Sequence, residues 1–252
     1  VTDSLNDVRK SWDSKADDWQ KQVGDQGDWN RRLNSDPVLF ELLGRVRNRD
    51  ILDAGCGTGY LSNRLTEMGA DVIGVDLSPE MIRTARHHYP DLDFRVDDCQ
   101  SLSTIEDGDM DLVVSNYVLM DTPNLSEAVQ AMYRALRPAG IAVVVVSHPC
   151  FPQGVADVHP DGTVSYHWKH SYYEQSQQKD PPWKHFKSDF IWFHRPVEDY
   201  WKAFRTAGFR VEELREPRIT PDQYHLAPNR QVLETYQERP LSIVFKLMKP
   251  SR

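Results

Sequence analysis

Asp53 follows an apolar pair, Ile51-Leu52, and three glycines come after it at alternate positions, Gly55, Gly57 and Gly59. Glycine permits positive φ and lets a ligand approach the backbone closely. A strand that runs into such a turn and then a helix makes a site for part of a nucleotide. The dinucleotide fingerprint requires G-x-G-x-x-G. Here the third glycine comes one residue early, and Tyr60 replaces a small residue, which counts against NAD. A carboxylate at Asp53 would repel a pyrophosphate but suits an amino group. The ligand described by these residues carries a ribose, a base and an α-amino acid end, and no phosphate.

S-adenosylmethionine fits that description, and more motifs follow in order. Val72-Ile73-Gly74-Val75-Asp76 reads as a second strand ending in an acid. Asp97-Asp98-Cys99, Asp111-Leu112-Val113-Val114-Ser115-Asn116 and Arg137-Pro138-Ala139-Gly140 come next. With D-A-G-C-G-T-G at 53–59, this series resembles the class I (Rossmann-like) S-adenosylmethionine-dependent methyltransferases, and among them the small-molecule subfamily called methyltransferase type 11. The resemblance is close over residues 40–150 and looser beyond. It implies that S-adenosylmethionine is the cofactor and S-adenosylhomocysteine the product. It implies that Asp53 faces the amino group, that the backbone of Gly55, Cys56 and Gly57 skirts the amino-acid portion, and that Asp76 holds the ribose hydroxyls. Leu77 and Met81 would sandwich the adenine, Asp98 accept from its amino group, the Cys99 backbone donate to the ring, and Ser115 lie beside the cofactor. Asp97 competes with Asp98 for its role. Trp19 matches a lid aromatic of the family, and Arg31 an arginine that could pair with the cofactor carboxylate.

The elements that must position these groups alternate regularly. Val8, Trp12, Ala16, Trp19 and Val23 have the spacing of one amphipathic helix over 5–22. A loop at 24–28 precedes a helix near 37–46. Strand 50–54, helix 58–68, strand 71–76, helix 79–88, strands 92–96 and 109–115, helix 125–137 and strand 141–147 follow. Ser78-Pro79-Glu80 is a helix-start signal. The nearly all β-branched run 141–146 suits a strand buried on both faces. After it come residues 148–195, then a helix at 196–207, a strand at 209–214, a polar connection at 217–238 and a strand at 241–248. The alternation predicts an α/β fold, a doubly wound and mostly parallel sheet. The resemblance makes it a Rossmann-like seven-stranded sheet, its last strand antiparallel, with a substrate lid inserted after the fifth. The whole of 1–252 is expected to be one methyltransferase domain. Lid helices would occupy 1–48, the cofactor core 49–147, the insertion 148–195, and a helix with a β-hairpin 196–252.

Methyl transfer from a sulfonium is an in-line displacement on an already activated carbon, so alignment and a dry site matter most. A general base is needed only for a nucleophile that holds its proton. His148, just after the fifth strand, suits that role by its ordinary pKa. Asp121 and Tyr117, after the fourth strand, are the other catalytic candidates. Residues 148–195 are too long for an ordinary connection and too aromatic for disorder. Trp168, Tyr172, Tyr173 and Trp183 could enclose an organic acceptor, and His194-Arg195 bind an acidic group on it. These aromatics could instead form a satellite core. The histidines of this stretch lack a metal-ligand set, so no metal is expected.

The 252 residues carry a net charge of −8. That balance gives no electrostatic reason to expect a nucleic-acid partner. No apolar run reaches membrane-spanning length, the N-terminal stretch is polar without a signal-peptide core, and three scattered cysteines form no disulfide framework. A cytoplasmic protein acting on an oxygen or nitrogen of a small-molecule methyl acceptor is expected. RNA or protein methylation, a non-catalytic S-adenosylmethionine sensor or scaffold, and an NAD dehydrogenase are the alternatives.

Overall fold

The computed structural model describes residues 2–151, 156–161, 163–167, 171–237 and 239–251. The chain opens with helices α1 (Thr2–Asp13) and α2 (Ala16–Val23). The single helix expected there is broken at Ser14-Lys15. The Lys15 ammonium donates to the Ser11 carbonyl at 3.0 Å, while the Lys15 amide donates to the Trp12 carbonyl instead. The side chain thus takes the acceptor that the next helical backbone bond would use. A five-residue π-helical turn (Arg31–Ser35) then runs into α3 (Asp36–Leu43).

The alternating region follows as β1 (Asp50–Ala54), α4 (Tyr60–Glu67), β2 (Asp71–Asp76), α5 (Pro79–His88), β3 (Asp93–Val96), β4 (Met110–Asn116), α6 (Leu125–Ala135) and β5 (Leu136–Ser147). The Ser78 hydroxyl caps α5 by accepting from the Met81 amide at 3.1 Å. β5 begins five residues before the expected 141, because Leu136 already pairs with Met110 ahead of a register irregularity. Two short hairpins fill the insertion: β6 (Ala156–Val158) with β7 (Val164–Tyr166), and β8 (Ser176–Asp180) with β9 (Phe190–His194). The chain continues as α7 (Val197–Ala207) and β10 (Arg210–Arg215). The supposed polar connection at 217–238 holds a 3-10 turn (Pro221–Leu226) and α8 (Arg230–Gln237), and β11 (Ser242–Met248) follows.

The main sheet has the order β10-β11-β5-β4-β1-β2-β3. Strands β1 to β5 are parallel, and β11 runs antiparallel between β5 and β10. This is the seven-stranded Rossmann-like sheet expected from the motif series. Ala142 to Val146 are wholly buried, as a strand covered on both faces requires. The order reverses beside β1, which opens a crevice at the carboxyl ends of β1 and β4, where such sheets place ligands. Gly55, at φ +88°, permits the closest approach there. A Cβ on it would come within 2.2 Å of the Val118 side chain, so only glycine lets the β1 turn meet the loop after β4.

Candidate functional site

One cavity occupies this crevice. Its floor is the first turn (Asp53, Gly55, Cys56, Gly57), the end of β2 (Asp76, Leu77), Met81 of α5, and Asp98 and Cys99 after β3. Its roof is Val8, Trp12, Trp19 and Arg31 from the N-terminal segment. Its far wall is the last residue of β4, Asn116, and the loop after it, with Tyr117, Asp121 and Thr122. Trp19 lies close over the turn: a Cβ on Gly57 would sit 3.3 Å from its Nε1.

The floor is acidic. The Asp76 carboxylate accepts from the Gly57 amide and the Ser78 amide, each at 2.9 Å. Asp53 accepts from the Ser62 hydroxyl at 2.7 Å. Burial pushes each carboxyl up to about 6, against these hydrogen bonds, and for Asp53 the neighbouring Asp76 adds to the push. Two buried acids held near neutral wait for donors. Asp98 reaches the cavity, whereas Asp97 is turned away and bound by Ser103 and Thr104. In the roof, the Arg31 guanidinium lies 5.1 Å from the centre of the Trp19 ring and donates to Asp28 at 3.2 Å. Burial opposes the Asp28 charge, and Arg31 holds its carboxyl below the usual range.

These features fit a ligand with donors at both ends and a flat middle. A model of the methyltransferase domain family matches residues 52–144. A Bacillus subtilis protein, YqeM, named provisionally as a methyltransferase, is 30% identical over 72% of this chain and 79% of its own length. The chain belongs to the S-adenosylmethionine-dependent methyltransferases. A methyltransferase of that class from Mesorhizobium loti has a crystal structure that superposes with a TM-score of 0.72 at 25% identity. The match covers 84% of this chain and 96% of that one. A ubiquinone biosynthesis O-methyltransferase of Bordetella avium is 33% identical over 40% of this chain, and the match spans 44% of that relative's length. The chain thus spans less than half the length of the first curated relatives it matches.

Against this methyltransferase frame the expected cofactor residues fall together, except Ser115. It is wholly buried and does not line the cavity, and its hydroxyl has no partner among the described residues. Neighbouring residues of a strand face opposite sides, so Asn116 takes the place assigned to Ser115.

The substrate-side expectations need correction. His148 lies outside the cavity. Its Nδ1 accepts from the Cys150 amide at 3.2 Å, so Nε2 carries the proton and faces Glu216 at 2.9 Å. Burial lowers its pKa, with Glu216 opposing. Both ring nitrogens are spent, and it is no free base. Tyr117 does line the cavity, at φ +60°, but its hydroxyl is occupied by Asn30, Asn34 and Ser242. Arg195 is buried and donates to the carbonyls of Leu119, Thr122 and Pro123. It shapes the far wall from behind and has no face toward an acceptor. His194 Nε2 meets the Tyr172 carbonyl, the Tyr172 hydroxyl accepts from the Val197 amide, and Tyr173 is 79% exposed. Trp183 stacks on Phe190 at 5.5 Å, and Phe190 packs on Trp12. Trp183 and Phe190 therefore brace the roof from outside. Trp168 lies outside the described residues.

Asp121 is the one catalytic candidate left with its reactive group in the cavity. Its carboxylate has no hydrogen-bond partner among the described residues. Burial pushes it well above the usual carboxylate range, and Lys15 and Arg195 pull it partly back. Sequence reasoning missed Val8 and Trp12 as roof residues, although both belong to the stripe that flagged Trp19. It also missed Lys15, whose wholly buried ammonium gives no pattern signal.

Proposed function

We propose that this chain transfers a methyl group from S-adenosylmethionine to an oxygen or nitrogen of a small-molecule acceptor. The observation that carries this reading is the convergence of Asp53, Asp76 and the Gly55–Gly57 turn under Trp19, in a cavity whose far wall presents Asp121 and Asn116. Asp76 would hold the ribose hydroxyls and Asp53 the amino group. Leu77 and Met81 would enclose the adenine, whose edge meets Asp98 and the Cys99 backbone. Arg31 would reach the carboxylate with the guanidinium nitrogens that Asp28 leaves over. When bound, the cofactor supplies a methyl carbon on positive sulfur, open to in-line attack. The protein's part is to align the acceptor, close Trp12 and Trp19 over the site, and exclude water. The O-methyltransferase name of the Bordetella relative supports an oxygen acceptor over the shared cofactor region only.

Residues 1–48 act in this reading as the lid, 49–147 as the cofactor core, 148–195 as the lid's brace and 196–252 as the closing helices and strands of one domain. No helix among the described residues is long and apolar enough to cross a membrane. Three free thiols suit a reducing compartment such as the cytoplasm. Calorimetry with S-adenosylhomocysteine and with NAD tests the reading. Binding of the first and none of the second is expected, and the reverse would overturn it.

A further inference from the structure

We propose that the acceptor is an amine, received as its ammonium by Asp121 and Asn116 at the far wall of the cavity. The inference rests on the methyltransferase reading and narrows it to nitrogen. The far wall offers oxygen acceptors and few donors. The Asp121 carboxylate accepts no hydrogen bond from the described residues, and the Asn116 Oδ1 is enclosed without a partner. Thr122 has already given its hydroxyl proton to the Val118 carbonyl, and the Tyr117 hydroxyl is held by Asn30, Asn34 and Ser242.

The nearby cations do not answer Asp121. Lys15 spends its ammonium hydrogens on the Ser11 carbonyl, the Ser11 hydroxyl and the Asp189 carbonyl. Arg195 spends its guanidinium on three carbonyls. Neither lines the cavity, and Arg31 in the roof is paired with Asp28. A carboxylate left without donors in such a wall is a receptor for a charged donor. Trp12 and Trp19 line the cavity overhead, and indole rings favour cations over acids. A carboxylate or phenolate acceptor would bring Asp121 no donor.

The chemistry balances. The ammonium gives one proton to an Asp121 oxygen, which frees the nitrogen lone pair. The new N–C bond forms as the C–S bond breaks and its electron pair stays on sulfur. The product leaves as the methylated ammonium, which carries the positive charge that sulfur gives up, and Asp121 returns its proton to water.

Sinefungin, a cofactor analogue bearing a primary amine where S-adenosylmethionine carries its methylated sulfur, places an ammonium at the transfer position. Calorimetry should show it binding the wild type about tenfold more tightly than S-adenosylhomocysteine, and Asp121→Asn should bring the two within about threefold while leaving S-adenosylhomocysteine affinity in place. Asp121→Ser gives the same readout should the first variant misfold. An unchanged sinefungin preference in both variants, or none in the wild type, overturns the amine assignment and leaves methyl transfer standing. Failure of the wild type to bind either ligand overturns the methyltransferase reading itself. Tyramine, offered with radiolabelled donor, carries both nucleophiles. N-methylation supports the proposal, an aryl methyl ether overturns it, and without turnover the binding arm decides.

Discussion

The Lys15 ammonium donates to the Asp189 carbonyl at 2.7 Å, which ties the break between α1 and α2 to the segment that leads into β9. One buried side chain thus joins the roof of the cavity to its brace, while the Phe190 ring lies 4.8 Å from the same nitrogen.

Replacing Lys15 with methionine should loosen the roof. The carbonyls of Ser11 and Asp189 lose their shared donor and keep only the Ser14 and Ser11 hydroxyls, at about 0.5–1.5 kcal/mol for each lost bond, less the relief of removing a buried charge. S-adenosylhomocysteine affinity should fall with it. Burial lowers the Lys15 pKa from 10.5 to about 8, with Asp189 and Asp121 opposing. The folded form therefore releases this proton before the unfolded one. Linkage then widens the wild type's stability margin over Lys15→Met as pH climbs from about 8 to 10.5. Denaturant titrations of both proteins across that window check the sign, and a shrinking margin would contradict it.

Asp53 trades stability for binding. Its folded carboxyl, near 6, stands above the ordinary 3.8. The stability it contributes is present below that ordinary value and lost as pH rises through about 6. Asp53→Asn carries no such charge and can still accept from Ser62. The ligand-free variant should melt no lower than the wild type at neutral pH, yet bind S-adenosylhomocysteine about tenfold more weakly. In the wild type, affinity should decline as pH falls through about 6, where Asp53 and Asp76 take up protons. Calorimetry between pH 5 and 8, about the range that spans both groups, would show a flat profile if neither acid touches the ligand.

Arg195→Met should act on folding before it acts on acceptors. Three carbonyls of the loop after β4 lose a buried cationic donor, at a cost of roughly 2–5 kcal/mol. The unfolding midpoint should drop, and the wall carrying Asp121 should lose its shape. Full stability in the variant together with lost transfer would instead return Arg195 to the acceptor.

The sheet was legible because each of its signals is local in sequence. Alternating apolar runs mark β1 to β5, and the D-x-G-x-G-x-G turn announces a ligand at the end of β1. Side-chain direction at a rim is not local. His148 and Arg195 both sit where the topology predicts chemistry, yet each turns toward backbone or carboxylate partners that lie 68 and 72–76 residues away. Lys15 shows the same limit inside one element. The stripe from Val8 to Val23 reads as unbroken because Lys15 lies off its apolar positions, and its fold-back onto the Ser11 carbonyl, shared with the Ser14 hydroxyl, marks the break. Ser115 and Asn116 differ by one step of the strand period, and a motif alone does not set that phase.

The Tyr117–Ser242 contact, 2.6 Å across 125 residues of sequence, has a consequence for synthesis on the ribosome. The strands that carry the floor, β1 to β3, and the β4 loop emerge first and can pair with one another. Asn30 and Asn34, already made, can hold the Tyr117 hydroxyl early, but its shortest partner, Ser242, arrives only with β11, which must then enter between β5 and β10. A nascent chain stopped before Ser242 would own every acid of the floor but hold Tyr117 opposite them by Asn30 and Asn34 alone. Completion of the binding chamber is thereby timed to the emergence of β11.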